Sequence, residues 1–343
     1  MKQIKVLVTG SGSLYGVAVV QSLTKSPLNC KVVCCDTDPI TLGLYLADQG
    51  YLIPSVKERD QWLKQIIEIC LKEEIDGIFI GSSHEIETFA QNSHYINSCT
   101  GAKVFVNPKS VVEKCQDKWQ TVQFLKNEGF HCPETIRWPE DKSLLNAFLV
   151  KVGFPVVAKP RIGAGSEGIA ILNSEQQLSS FIKGKVQYII QEYLPENNGE
   201  FTVGVCLASK GKVLSSIALR RTLKDGMTMV AVADHYAALC QYCEQVAKAI
   251  KAYGPINLQL RIKNGLPYIF EINPRFSSST GMRIALGVNE AELLIRAEIL
   301  GETVTKPTII KAGVIRQYQD YVIRAEQMGK FSTSKWFEIP SRG

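Results

Sequence analysis

A chain of 343 residues, 45% hydrophobic and 21% charged, exceeds what one core comfortably organises and reads as a globular protein of two or three domains. Its net charge of +6 is spread along the sequence, without a dense Lys/Arg run or interleaved aromatics, so no nucleic-acid partner is expected and a mild preference for anionic ligands remains. The start, Met1-Lys2-Gln3-Ile4-Lys5-Val6, leads straight into a strand and leaves no room for a signal peptide, and no apolar run approaches membrane-spanning length; no membrane partner and a cytoplasmic location are expected. Ten cysteines fall mostly inside apolar strand-like or helical stretches and are expected as reduced, packed thiols, Cys240 and Cys243 included despite their redox spacing.

The first hundred residues alternate strand and helix. A buried strand over 4–9 leads to a glycine turn over 10–16 and a helix over 17–24; a strand over 31–36, a helix over 62–73 and strands over 77–80 and 103–106 follow. That rhythm predicts a parallel sheet with helices on its faces. Thr9-Gly10-Ser11-Gly12-Ser13-Leu14-Tyr15-Gly16, with Asp36 closing the next strand, imitates a dinucleotide fingerprint whose last glycine comes one residue late. It is either a ligand-binding turn, as in an NAD(P)-dependent oxidoreductase, or a structural one.

Asn107-Pro108 breaks the rhythm, and a charged helical stretch over 109–128 stops at Gly129. Short strands over 135–138, 156–159, 169–172 and 188–191, around one helix or two, read as a small α+β unit. Longer strands over 201–208 and 212–219, a helix over 236–253, strands over 256–262 and 268–272, and a helix over 290–300 follow. The expected boundaries are 1–107, a helical linker over 108–130, units over 131–191 and 192–311, and a tail over 312–343 that adds a strand to the last sheet or makes a homodimer contact.

Chemistry concentrates in the second half. Residues 266–273 alternate like a half-buried strand, so Glu271 and Asn273 project to one face at its end, ahead of Pro274-Arg275 and twelve residues after Gln259. Magnesium takes oxygen ligands and shares them with phosphates, which suits a carboxylate and an amide oxygen at this spacing. Lys159 closes the strand before the loop Gly163-Ala164-Gly165-Ser166-Glu167-Gly168, an ammonium beside free amides and thus a cradle for a polyphosphate. It is not a Walker loop, because no Lys-Ser or Lys-Thr follows the last glycine and a strand comes next. A hairpin turn explains the glycines but not the lysine. Lys118 alone says nothing. Gln191-Glu192-Tyr193-Leu194 and Glu200 mark either a hinge whose backbone faces a purine edge or a hairpin with an acidic rim.

In this order, Lys118, Lys159, the glycine loop, Gln191 to Leu194, Glu200, Asn257-Leu258-Gln259 and Glu271-Ile272-Asn273-Pro274-Arg275 resemble the ATP-grasp superfamily. The likeness is to one synthetase unit of the carbamoyl-phosphate synthase large chain and the single-unit proteins similar to it, over about residues 1–320. Asp36-Thr37-Asp38-Pro39, Gly43-Leu44-Tyr45 and Ala47-Asp48 look like the preATP-grasp domain of that group. The fold class implied is α/β and α+β, an ATP-grasp fold with an N-terminal Rossmann-like preATP-grasp domain, a lid over 131–191 and a catalytic subdomain over 192–311.

The resemblance implies ATP and Mg2+ as cofactors. Lys118 and Lys159 would touch the phosphates, with Gly163, Gly165, Ser166 and Gly168 closing over them. Gln191, Glu192, Tyr193 and Leu194 would meet the adenine, and Glu200 the ribose hydroxyls. Gln259, Glu271 and Asn273 would hold the metal, Gln259 standing where many relatives use a carboxylate, and Arg275 would face the transferred phosphoryl group. Arg220-Arg221 is expected either as an anion clamp for the substrate carboxylate or acyl phosphate or as surface charge on a strand end; Arg283 is a further candidate, and His235 either orients substrate or is a solvated loop residue. The implied activity is an ADP-forming ligase joining small-molecule carboxylate and amine substrates through an acyl phosphate. Carbamoyl-phosphate synthase uses two such units in tandem and this chain has one, so it is not expected to make carbamoyl phosphate alone. The oxidoreductase reading and a nucleotide-binding protein without turnover remain the alternatives.

Overall fold

The computed structural model describes residues 3–163, 167–197, 199–224, 226–324 and 327. Its first sheet follows from sequence pattern: Val6, Leu7 and Val8 are wholly buried, as in a parallel strand covered on both faces. Strands β1 (Lys5–Thr9), β2 (Lys31–Asp36), β3 (Gln49–Leu52), β4 (Gly77–Ile80) and β5 (Lys103–Phe105) are parallel, in the order β3-β2-β1-β4-β5. Helices Leu14–Thr24, Leu42–Leu46, Arg59–Glu73 and Ile86–Thr100 make the crossovers.

The strand order reverses between β1 and β4, the place where open α/β sheets meet ligands. Here the glycine turn folds on its own chain. Gly10 has φ +52, and a Cβ on it would come within 2.5 Å of Ser82 Cβ. The Gly12 amide donates to Asp36 Oδ2 at 2.8 Å, and Asp36 Oδ1 accepts from the amides of Thr37 and Asp38. The amide and carboxylate that a dinucleotide would need are engaged within the turn, so this geometry lends the oxidoreductase expectation no support.

The expected helix over 109–128 is two helices, Lys109–Gln116 and Lys118–Asn127. Asp117 separates them and caps the second, accepting from the Trp119 amide at 2.9 Å. The cap puts Lys118 at a helix start. Strands β6 (Thr135–Trp138), β7 (Val156–Pro160), β8 (Ala170–Leu172) and β9 (Tyr188–Glu192) form an antiparallel sheet, β6-β9-β7-β8, packed through Ile136, Val156, Ala158 and Ile190 onto helices Leu145–Val152 and Glu175–Ile182.

The third sheet, also antiparallel, comprises β10 (Glu200–Leu207), β11 (Val213–Lys224), β12 (Met227–Val232), β13 (Gly254–Lys263), β14 (Leu266–Asn273) and β15 (Gly313–Ile315), in the order β14-β13-β10-β11-β12-β15. Sequence patterning missed β12 and ended β11 at residue 219, because the polar run Arg220 to Lys224 hides the strand's continuation. The tail does add an edge strand, β15 on β12; its residues 325–326 and 328–343 lie outside the described ones. Helix Ala237–Ala249 buries Cys240 and Cys243 in this sheet's core. All ten cysteines are free, and every one but Cys99 is buried. Among the described residues no helix is long and apolar enough to cross a membrane.

Under the first sheet's carboxyl edge lies Glu85, accepting from Thr9 Oγ1 at 2.7 Å and from the Trp62 indole at 3.2 Å. Burial pushes its pKa from 4.5 up to about 7, against the pull of those two donors. The folded state therefore holds this proton more tightly than the unfolded chain. The contribution is fully present below about 4.5 and falls, by on the order of 3 kcal/mol, as pH rises to about 7. Chemical denaturation from pH 4 to 8 should show that decline in the native protein and lack it in Glu85→Gln; identical pH profiles would refute the assignment.

Candidate active site between the two antiparallel sheets

The four-stranded and six-stranded sheets face each other across a cleft of about 410 Å3. Its floor is set by strand register: Gln259 on β13 pairs with Glu271 on β14, and Asn257 with Asn273. Side chains of alternate residues share a face, so all four reach the cleft. Among the described residues the Glu271 carboxylate takes no hydrogen bond, and it faces the ammonium groups of Lys118 and Lys159. No cluster of three His, Cys, Asp or Glu exists among the described residues, so a metal here would rest on one carboxylate and amide oxygens. An all-oxygen set of low charge fits magnesium, which keeps water and phosphate as its other ligands.

Lys159 comes from β7, in the opposite sheet. It is only 5% exposed, and its Nζ donates to the Phe270 carbonyl at 3.3 Å. Burial pushes its pKa down to about 8; Glu271 opposes that shift and Lys118 adds to it. The Lys118 ammonium, also lowered by burial, donates to the Gly163 carbonyl at 3.0 Å. Gly163 lines the cleft with φ +150, and Gly168, with φ +71, stands outside the lining; Gly165 and Ser166 lie outside the described residues.

Arg275 donates to the Phe276 carbonyl at 2.8 Å and to Asn273 Oδ1 at 3.1 Å, and its guanidinium lies 5.3 Å from the centre of the Tyr15 ring. Tyr15 belongs to the first helix after the glycine turn. The first helix of the N-terminal unit thus lines one end of the cleft, a contact between distant segments that no local pattern announces.

At the other end, Gln191 is buried and donates to Thr135 Oγ1 at 2.9 Å, while Glu192 pairs with Lys263. The Arg261 guanidinium lies 5.4 Å from the Tyr193 ring and donates to the Leu194 carbonyl. Glu200, expected at the ribose hydroxyls, lines the cleft with both oxygens engaged. Its Oε1 accepts from Arg221 Nε and Nη2 at 3.0 and 2.6 Å, its Oε2 from Arg261 Nε and Nη2 at 2.9 and 2.6 Å, so a ribose hydroxyl would have to displace one of these donors. Arg261 went unnoticed in the sequence, although it sits two residues from Gln259 on the same strand face.

Arg220 and Arg221 are not brought together. Neighbours on a strand point to opposite faces: Arg221 lines the cleft, and Arg220 is exposed outside it. Arg283 is wholly buried, donating to both oxygens of Glu290, to Asn257 Oδ1 and to the hydroxyls of Ser277 and Ser279. A side chain at Gly204 would collide with its guanidinium. Already neutralised, it braces the serine loop that lines the cleft and is not an anion site. His235 is exposed in a separate hollow beside Lys311.

Two family models match the chain: "PylC-like, N-terminal domain" over residues 6–104 and "ATP-grasp in the biosynthetic pathway with Ter operon" over 185–320. A D-alanine–D-alanine ligase of Bacillus anthracis is 27% identical over 176 residues, 46% of this chain and 56% of that protein. A carbamoyl phosphate synthase large chain of Pseudothermotoga lettingae is 22% identical over 89% of this chain and 29% of that one. The chain thus spans little more than half the ligase's length and under a third of the synthase's. The crystal structure of N5-carboxyaminoimidazole synthetase from Staphylococcus aureus complexed with ADP superposes with a TM-score of 0.71 at 19% identity, covering 90% of this chain and 81% of that one. At that identity the likeness is one of fold.

An anion seated on Lys159 favours the ammonium form, so it raises the lowered pKa. At pH 9 the free group is mostly neutral, and ADP binding should take up as much as about one proton; at pH 7 it should take up none through this lysine. Calorimetry in buffers of different ionisation enthalpy measures this. Zero uptake at pH 9 would separate Lys159 from the bound phosphates.

Proposed function

The chain is an ATP-grasp superfamily protein with an N-terminal Rossmann-like preATP-grasp domain, and on that premise we propose that it is an ADP-forming ligase joining a carboxylate to an amine through an acyl phosphate. The observation that carries the reading is the set of cleft cations that form no ion pair with a carboxylate among the described residues, Lys118, Lys159 and Arg275, arrayed around Glu271 and its neighbouring amide oxygens. Similarity to a D-alanine–D-alanine ligase and to carbamoyl phosphate synthase supports it.

In this reading ATP enters with its adenine against Gln191 to Leu194 and its phosphates toward Lys118, Lys159 and the loop from Gly163 to Gly168. Gln259, Glu271 and Asn273 would hold Mg2+, which supplies neutralising charge to the phosphate oxygens. A substrate carboxylate oxygen attacks the γ-phosphorus and ADP leaves; the amine then attacks the acyl carbon and inorganic phosphate departs. Lys159 and Lys118 hold the triphosphate in line, and Arg275 faces the phosphoryl group as its charge spreads. The protein's share is positioning and electrostatics rather than covalent chemistry. Residues 1–107 would present one substrate through Tyr15, with 131–191 as lid and 192–311 as catalytic unit.

A non-catalytic nucleotide binder would share the cleft but release no ADP. ADP and phosphate release across pairs of amino acids identifies the substrates. With them, Glu271→Gln should lower turnover by about 10²-fold or more while circular dichroism stays native. Unchanged turnover in that variant, or no ADP release with any pair, would refute the reading.

A further inference from the structure

Arg221 sits where three strands meet. Strand register places it directly across from Glu200, and Thr202, two residues along β10, lies across from Gln259. Its side chain is 8% exposed and that of Glu200 9%. One nitrogen, Nη2, serves two acceptors, Glu200 Oε1 at 2.6 Å and Gln259 Oε1 at 2.7 Å. A guanidinium has donors only, so the amide atom it meets must be the oxygen; turned over, Gln259 would set its NH2 against N–H groups. The amide oxygen has a second lone pair for another electrophile.

Charge balance points the same way. Glu200 binds Arg221 through one oxygen and Arg261 through the other, and Arg261 also pairs with Glu196 at 2.8 Å. Two guanidinium groups meet two carboxylates, so Arg221 brings little net charge to the floor beside Glu271. It also lacks the free fork that a substrate carboxylate would require.

We propose that Arg221 is a positioning residue, not an anion clamp: it fixes the Gln259 amide with its oxygen available to the metal, and joins that ligand to Glu200 at the far end of the cleft. This rests on the ligase reading, because it takes Gln259 as a ligand. It also explains how an amide serves at position 259. A neutral oxygen accepts from Arg221 without drawing it off Glu200, whereas a carboxylate would compete for it.

The test uses the full chain with Mn2+ and ADP as probes and needs no substrate. Mn2+ binding in the presence of ADP is followed by electron paramagnetic resonance, and ADP binding in EDTA by calorimetry. Arg221→Met keeps the bulk and removes the donors, and Glu200 retains Arg261, so the fold should persist; Arg221→Lys restores donors. Loss of a group that orients a ligand typically lowers metal affinity 10–100-fold, so Arg221→Met should weaken Mn2+ by roughly 10-fold, with Arg221→Lys recovering most of it. Metal-free ADP affinity should change by less than about threefold in both, since the ligand oriented is the metal's. Unchanged or tighter Mn2+ binding in Arg221→Met would overturn the proposal, as would an equal loss with and without metal, which would put Arg221 on the nucleotide itself. Failure of the native protein to bind Mn2+ with ADP would instead overturn the ligase reading.

Discussion

A buried ammonium with a carbonyl for its hydrogen-bond partner is the constraint around which this cleft is organised. Lys159 reaches from one sheet to the Phe270 carbonyl of the other, and desolvation is costly enough to depress its pKa to about 8 although the Glu271 carboxylate opposes the shift. The cost is not spread evenly over the site. Arg161, Arg221, Arg261 and Arg283 each have a carboxylate, from Asp117, Glu200, Glu196 with Glu200, and Glu290. Lys118, Lys159 and Arg275 pair with none among the described residues; they meet carbonyl or amide oxygens. Within the cleft, the cations neutralised by carboxylates of the chain are framework, and we propose that those left with neutral hydrogen-bond partners hold the bound anion.

The framework has its own logic. Burying an ion pair contributes little net stability, but it leaves either partner unable to depart without stranding a charge. Arg283 and Glu290 use that property beneath the cleft: the pair is fully enclosed, and the guanidinium extends to Ser277 and Ser279, whose loop lines the site. From the other side Arg316, in the segment after β15, donates to the carbonyls of Thr228 and Ser278. The serine loop is thereby tied both to the core and to the edge of the large sheet. Rigid support of this kind keeps polar groups aimed at a reacting centre without reorganisation.

How much of this could be read from sequence follows from the range of each interaction. Strands β2, β4 and β6 were placed to the residue, because short apolar runs bounded by polar turns are local signals. Glu271 and Asn273 were legible for the same reason, a spacing of two on an alternating strand. Their partner Gln259 needed the likeness to a known family, since register between β13 and β14 is not written in either strand alone. Arg221 shows the limit: its neighbour Arg220 looks like its twin in sequence, yet the pleat sends the two to opposite faces. Tyr15 and Arg261 were missed because their part comes from what lies opposite them in space. The glycine turn reads in sequence as either ligand-binding or structural, and the bond from the Gly12 amide to Asp36 is a contact that only the folded chain reveals.

The most direct measurement is a crystal structure with Mg2+ and a non-hydrolysable ATP analogue. The account predicts the triphosphate between the two antiparallel sheets, contacting Lys118 and Lys159, with the metal on Glu271 and the amide oxygens beside it. Nucleotide bound instead at the turn from Gly10 to Gly16, or a cleft that takes up none at saturating concentration, would contradict it.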